Sequence, residues 1–231
     1  MRLLHVISII LLLSYTSASK IEFDRYTIDD GLSQNTVYKV FQDSRGYIWL
    51  GTQGGLDRFN GYEFKHYEHE SNDSTSIVNG WIRAINEDED GLLWLGTVGG
   101  NLGWFDPYDE IGGEIDLFAD HPDFDRPGYI YDILFHGDYI FLTTLGSGLC
   151  RYNRKDGSIL WYSSDSTSKH YIKDRVFTNV YSISEDKILL GDRSIIILNT
   201  KTNEHVEPYN ELIEKEIGVP VSNYRNVGGK R

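Results

Sequence analysis

The sequence predicts an all-β chain made of repeated four-stranded antiparallel units, on three observations. Aromatic residues make up 13% of the 231 residues, with 16 Tyr, 10 Phe and 5 Trp, and such side chains favour pleated, half-buried surfaces. Gly numbers 23 and recurs between short apolar runs, where turns need freedom in φ. Most telling, the phrase Asp43-Ser44-Arg45-Gly46-Tyr47-Ile48-Trp49-Leu50-Gly51-Thr52 returns 45 residues later as Asp88-Glu89-Asp90-Gly91-Leu92-Leu93-Trp94-Leu95-Gly96-Thr97. A fixed period of this length is the signature of a repeat architecture.

The repeat extends beyond that phrase. A third, altered copy is Tyr139-Ile140-Phe141-Leu142-Thr143-Thr144, with Phe141 in the Trp position, and a fourth is Lys187-Ile188-Leu189-Leu190-Gly191-Asp192. Two aliphatics three apart precede each copy: Val37 and Val40, Ile82 and Ile85, Ile130 and Ile133, Val180 and Ile183. A glycine-led element follows it, around Gly55, Gly100 and Gly148, and the fourth copy has lost these glycines. Each unit holds four strand-length segments, in the first roughly 36–42, 47–51, 55–60 and 63–67. Short strands with turn signals at this spacing read as a β-meander. Asp-x-x-Gly at 43–46 and 88–91 places a residue tolerant of positive φ in the first hairpin.

Four strands in about 45 residues is the size of one β-propeller blade. Blades stack face to face, which accounts for unbroken apolar runs such as Tyr-Ile-Trp-Leu in place of strict alternation. Trp49 and Trp94 are expected to fill the space between neighbouring blades. Gly51, Thr52, Gly55, Gly96, Thr97, Gly100, Phe141, Thr143 and Gly148 complete the structural positions of the repeat. The expected blades run over about 32–70, 77–121, 126–165 and 176–209, within a domain spanning 20–209. The segment 210–231 reads as a short helix and tail.

The first nineteen residues read as an export signal. Arg2 supplies the positive start, Val6 to Leu13 is an apolar run broken only by Ser8, and Ser17-Ala18-Ser19 sets small residues before a cleavage point at Lys20. The run falls short of the ~20 residues a membrane span needs. The expected location is therefore periplasmic or extracellular, with no membrane span after cleavage.

Composition narrows the function classes. The formal charge is −13, from 22 basic and 35 acidic residues, with no basic stripe, so nucleic acid is not an expected partner. The single cysteine, Cys150, cannot form an internal disulfide and reads as a small buried hydrophobe. Asn86-x-Asp88-x-Asp90-Gly91 opens like a calcium loop but has Thr97 where a bidentate Glu belongs, so it reads as a hairpin turn. No catalytic, cofactor or metal residues are assigned, and no cofactor is expected. For a ligand, aromatic rings near strand ends are the natural platform, and Trp81, Trp104, Tyr108 and Trp161 are the candidates.

Gly-Tyr-Ile-Trp-Leu-Gly-Thr followed by Gly-Gly-Leu-Asp-Arg-Phe resembles the two-component regulator propeller repeat. The phrase Phe23-x-x-Tyr26-x-x-x-x-Gly31-Leu32-Ser33-Gln34-Asn35-Thr36-Val37 resembles the opening of such sensors. The resemblance covers residues 23 to about 200 and implies the periplasmic sensor region of a hybrid histidine kinase of Bacteroidota. In that family, two seven-bladed propellers precede a membrane span and a kinase, and many members sense polysaccharide fragments. The expected function is a periplasmic ligand-sensing segment, for carbohydrate, truncated and without kinase, receiver or DNA-binding modules. Expected partners are an oligo- or polysaccharide, and further blades or a second copy of the chain. A stand-alone or trans-completed interaction protein and a propeller lyase or hydrolase are the alternative classes. An open four-blade arc is expected to leave two apolar faces uncovered.

Overall fold

The computed structural model describes residues 22–119, 126–172, 174–192 and 195–206. The expected export signal and the expected helix at 210–231 lie outside the described residues.

Among the described residues, sixteen strands form four separate four-stranded sheets, each an antiparallel meander in sequence order. Sheet 1 holds β1 (Val37–Gln42), β2 (Ile48–Thr52), β3 (Leu56–Phe59) and β4 (Phe64–Tyr67). Sheet 2 holds β5 (Ile82–Glu87), β6 (Leu93–Thr97), β7 (Leu102–Asp106) and β8 (Ile111–Ile115). Sheet 3 holds β9 (Ile130–His136), β10 (Tyr139–Thr144), β11 (Leu149–Asn153) and β12 (Ile159–Tyr162). Sheet 4 holds β13 (Asn179–Ser184), β14 (Lys187–Gly191), β15 (Ile195–Asn199) and β16 (His205–Val206). Successive sheets meet through their first strands, β1 on β5, β5 on β9 and β9 on β13, in an open arc of propeller blades.

Strand alternation gives each sheet two faces with different chemistry. One face carries the large residue of the repeat toward the next sheet. Trp49 packs with Ile82, Ile85, Leu93, Leu95 and Phe105 of sheet 2. Trp94 packs with Ile133, Ile140 and Leu142 of sheet 3, and Phe141 with Val180, Ile188 and Leu190 of sheet 4. The opposite face supplies the aliphatic row that receives it. Cys150 sits in one such row, fully buried, and burial pushes its thiol pKa upward.

The aspartate that opens the first hairpin does more than turn the chain. Asp43 Oδ1 accepts from the backbone N–H of Arg45 at 3.0 Å and of Tyr47 at 2.8 Å, while Oδ2 accepts from Trp49 Nε1 at 2.8 Å. Asp88 repeats the pattern with Asp90 and Leu92, and accepts from Trp94 Nε1 at 2.9 Å. Its lone pairs are thus directed at its own hairpin, as the turn reading of 86–91 requires. Gly46 and Gly91 close these loops at φ 93 and 83. Sheets 3 and 4 turn instead through two residues, Gly137-Asp138 and Glu185-Asp186. There the tryptophan position holds Phe141, fully buried, or Leu189, half-buried, neither of which has a side-chain N–H to satisfy. Long turn, tryptophan and an aspartate that accepts from the indole N–H occur together in sheets 1 and 2 and are replaced together in sheets 3 and 4.

Register also corrects one reading of the fourth repeat. Val40, Ile85 and Ile133 pair with Leu50, Leu95 and Leu142, and in sheet 4 it is Val180 that pairs with Leu190. Val180 is therefore the second aliphatic of its unit, and the first is Phe177, which is fully buried. The sequence pairing of Val180 with Ile183 was offset by three residues because an aromatic occupies the aliphatic position.

The N-terminal segment runs across the outer face of sheet 1, which has no preceding sheet among the described residues. Thr27 caps a short 3-10 turn, Ile28–Asp30, through a capping box with Asp30. The Tyr26 ring lies 4.9 Å from Phe59 and 5.7 Å from Phe64, and Leu32 is buried. Ser33 donates through its backbone and hydroxyl to Asp57, whose side chain is fully buried. This segment covers part of a face expected to be bare, although Val40 stays 62% exposed.

Asp57 also engages His66 Nδ1 at 3.0 Å, and His66 Nε2 lies 3.0 Å from Glu68. The hydrogen bond to Asp57 raises the His66 pKa above its ordinary 6.5, burial opposing it. A raised pKa means that protonation is favoured by folding. The added stability is complete below the unfolded pKa of 6.5 and fades as pH climbs through the folded one. His66→Gln is expected to remove this pH dependence, an effect of roughly 0.5 kcal/mol, read as denaturant midpoints across the interval above pH 6.5. Parallel midpoint-versus-pH curves for the two proteins would contradict it.

Candidate functional site

The strand ends divide between two rims. One rim carries the starts of β1, β5, β9 and β13 and the long connections between sheets; the other carries the hairpins at 43–47 and 88–92. On the first rim, the residue that follows the first apolar position of each repeat comes into view. These residues are Tyr38, Arg83, Tyr131 and Thr178, contributed by four different units.

Arg83 is the centre of the cluster. Its guanidinium carbon lies 4.4 Å from the Tyr38 ring centre, 4.6 Å from Tyr129 and 5.4 Å from Tyr131. The two tyrosines of sheet 3 are 5.8 Å apart, and Trp81 lies 5.8 Å from Tyr38 on the other side. Backbone pairing fixes the cage: Val98 bridges Tyr129, Val98 N–H donates to Trp81 C=O at 3.2 Å, and Leu145 N–H donates to Tyr129 C=O at 3.0 Å. Close beneath, Lys39 Nζ reaches Asp132 Oδ1 at 3.4 Å, and Asp132 Oδ2 accepts from Val180 N–H at 3.2 Å. Sheets 1, 3 and 4 are thereby tied near the axis.

Tyr131 also borders an open cavity of about 400 Å³, lined further by Leu145, Asp174, Arg175, Thr178 and Asp192. That is within the range of small-ligand sites, ~300–1,000 Å³. Arg175 Nε donates to Gly146 C=O at 2.7 Å, which sets one wall. Tyr131 is thus shared by the aromatic cluster and the cavity, whose lining adds two carboxylates and a threonine.

The four sequence candidates do not come together. Trp81 joins the cage. Tyr108 is 83% exposed but stands on the opposite rim, at a hairpin tip held by Asp106, where a shallower cavity of about 310 Å³ is lined by Arg45, Glu89 and Asp90. Trp104 lies mid-strand opposite Trp94, its ring occupying the space that a Cβ at Gly113 would fill. Trp161 is buried, stacked on Phe118 at 5.3 Å, with Nε1 donating to Leu117 C=O. Its ring has no free face for a ligand, because β12 turns this residue toward sheet 2 and not toward a rim. Sequence reasoning missed Tyr38, Arg83, Tyr129 and Tyr131. For Tyr38, Arg83 and Tyr131 the signal was the repeat column just after the first aliphatic, which holds half-buried residues; Tyr129 stands before that aliphatic and has no such signal.

Comparison with known proteins finds the same repeat and fold. Residues 31–54 and 76–99 match the family described as two component regulator propeller, so the chain carries that repeat in its first two units. The class is that of propeller domains like the extracellular sensor regions of hybrid two-component systems. Among individual proteins, histidine kinase P4 of Formosa agariphila is 46% identical over 59 residues, 26% of this chain and 4% of the kinase. The extracellular domain of the hybrid two component system BT3049 from B. thetaiotaomicron superposes with a TM-score of 0.69 at 19% identity, over 80% of this chain and 26% of that one. The extracellular domain of BT4673 from the same organism gives 0.59 at 20% identity, over 77% and 23%. The chain therefore spans about a quarter of these structures and a small part of the kinase. Among the described residues, no helix is long and apolar enough to cross a membrane.

Proposed function

We propose that this chain is a ligand-recognition segment of a two-component sensor, exported from the cytoplasm by residues 1–19, and that its ligand is a carbohydrate. The observation that carries the reading is the rim cluster of Tyr38, Arg83, Tyr129 and Tyr131 together with the cavity that Tyr131 also borders. Tyrosine rings offer flat apolar faces to sugar rings, and Asp174, Asp192 and Thr178 offer groups that bond hydroxyls. In a sensor built this way, the ligand shifts the population between two arrangements of the assembly and does no chemistry on what it binds.

An array of oligosaccharides presented to the purified chain tests it. At least one sugar is expected to be retained, and Tyr131→Ala is expected to weaken that retention at least tenfold while leaving the thermal midpoint near its original value. Retention that Tyr131→Ala leaves unchanged would place the site elsewhere.

A further inference from the structure

We infer that the sugar recognised at this rim bears a carboxylate, as in a uronic acid, and that Arg83 is the residue that selects it. The inference rests on the rim reading above and adds the ligand's charge. The chain holds 35 acidic residues against 22 basic ones, and several of its cations are paired with a carboxylate. Arg58 and Lys65 reach Glu110, Arg154 reaches Glu89, and Lys39 reaches Asp132. Arg83 has no carboxylate partner and no hydrogen-bond acceptor among the described residues; its recorded neighbours are the three tyrosine rings. It is only partly exposed.

Ring faces attract a guanidinium, but they leave its five N–H donors unsatisfied. Those donors lie in one plane, in a fork that matches the two oxygens of a carboxylate. Stacking on the rings also fixes that plane, so little freedom remains to be lost when a partner arrives. The cage holds a second donor without an acceptor among the described residues, the buried Trp81 Nε1–H.

The rest of the surface sets the orientation. Asp174, Arg175 and Asp192 all line the cavity bordered by Tyr131, so charges of both signs meet there and neutral hydroxyls can be bonded. An acidic residue over Arg83 followed by neutral sugars along the cavity satisfies both ends. The strongly negative net charge makes such a local cation necessary for an anionic ligand to dwell there.

The test presents wild type and Arg83→Gln with uronate-containing oligosaccharides, their methyl esters and neutral oligosaccharides of matched length, with sulfated neutral sugars as a further arm. Wild type is expected to hold at least one uronate sugar tenfold or more tighter than its methyl ester, with the advantage shrinking as salt rises. Arg83→Gln is expected to abolish that preference while binding the ester as wild type does. Equal binding of acid and ester, preference for the sulfated arm alone, or retention of no uronate sugar would each overturn the proposal. Equal binding that still depends on Tyr131 would leave the rim reading standing.

Discussion

Gly96→Val is expected to lower the thermal midpoint by about 6–12 °C, from an overpacking cost of roughly 3 kcal/mol at 2–4 °C per kcal/mol. A Cβ at Gly96 would lie 2.5 Å from Ile130 Cγ2, 2.8 Å from Ile130 Cβ and 3.0 Å from Ala84 Cβ. Ile130 is fully buried on the innermost strand of the next sheet and has nowhere to move. The glycine thus sets how closely sheet 3 approaches sheet 2. Gly51 holds the same place one unit earlier, with a Cβ falling 2.9 Å from the Ile82 carbonyl oxygen. Gly191 holds it in sheet 4, where a Cβ would meet nothing within 4 Å. Gly191→Ala is the internal control and should stay within about 0.5 kcal/mol of wild type. Equal melting of the Gly96 and Gly191 variants would show that the close approach does not govern the stack.

Trp49→Ala is expected to cost about 3–5 kcal/mol, measured by denaturant unfolding. The indole is fully buried and lies 5.8 Å from the Tyr67 ring and 6.0 Å from Phe105. Its removal opens a cavity between sheets 1 and 2 and deprives Asp43, itself 4% exposed, of one donor. Trp49→Phe separates the two effects. It restores most of the volume but not the N–H, so a residual loss of about 1–2 kcal/mol should remain, the cost of an under-satisfied buried acceptor. In sheet 3 nature has made the phenylalanine choice at Phe141 and shortened the turn with it. A Trp49→Ala loss below about 1 kcal/mol would remove tryptophan from the role given it here.

Much of this architecture could be read from residues alone, because a repeat states the same physics several times. Trp49 and Trp94 recur in one context, so their place between blades followed from composition and spacing. The hairpins at 43–46 and 88–91 followed from one aspartate and one glycine. What escaped was written only once or split between units. Phe177 hid the fourth repeat's first apolar position because it is not aliphatic. Tyr38, Arg83 and Tyr131 share a column but not a residue type, and the cage exists only after three sheets converge. Trp161 misled because a tryptophan near a strand end looks like a platform, whereas the Phe118 ring that covers it comes from a connection with no repeat signal.

The cage has a thermodynamic consequence that follows from its construction. Tyr38, Arg83 and Tyr131 belong to three successive sheets, so a molecule held by all three is sensitive to the angle at which those sheets meet. Occupancy and stack geometry then form one linked equilibrium, and linkage runs both ways. On the proposed reading, a bound sugar is expected to raise the melting temperature by clamping three sheets at once. A distant change that widens the wedge, such as a side chain at Gly96, is expected to weaken the sugar without touching it. A pocket carved within one sheet would report only that something is bound; one shared by three sheets would couple binding to a change of curvature.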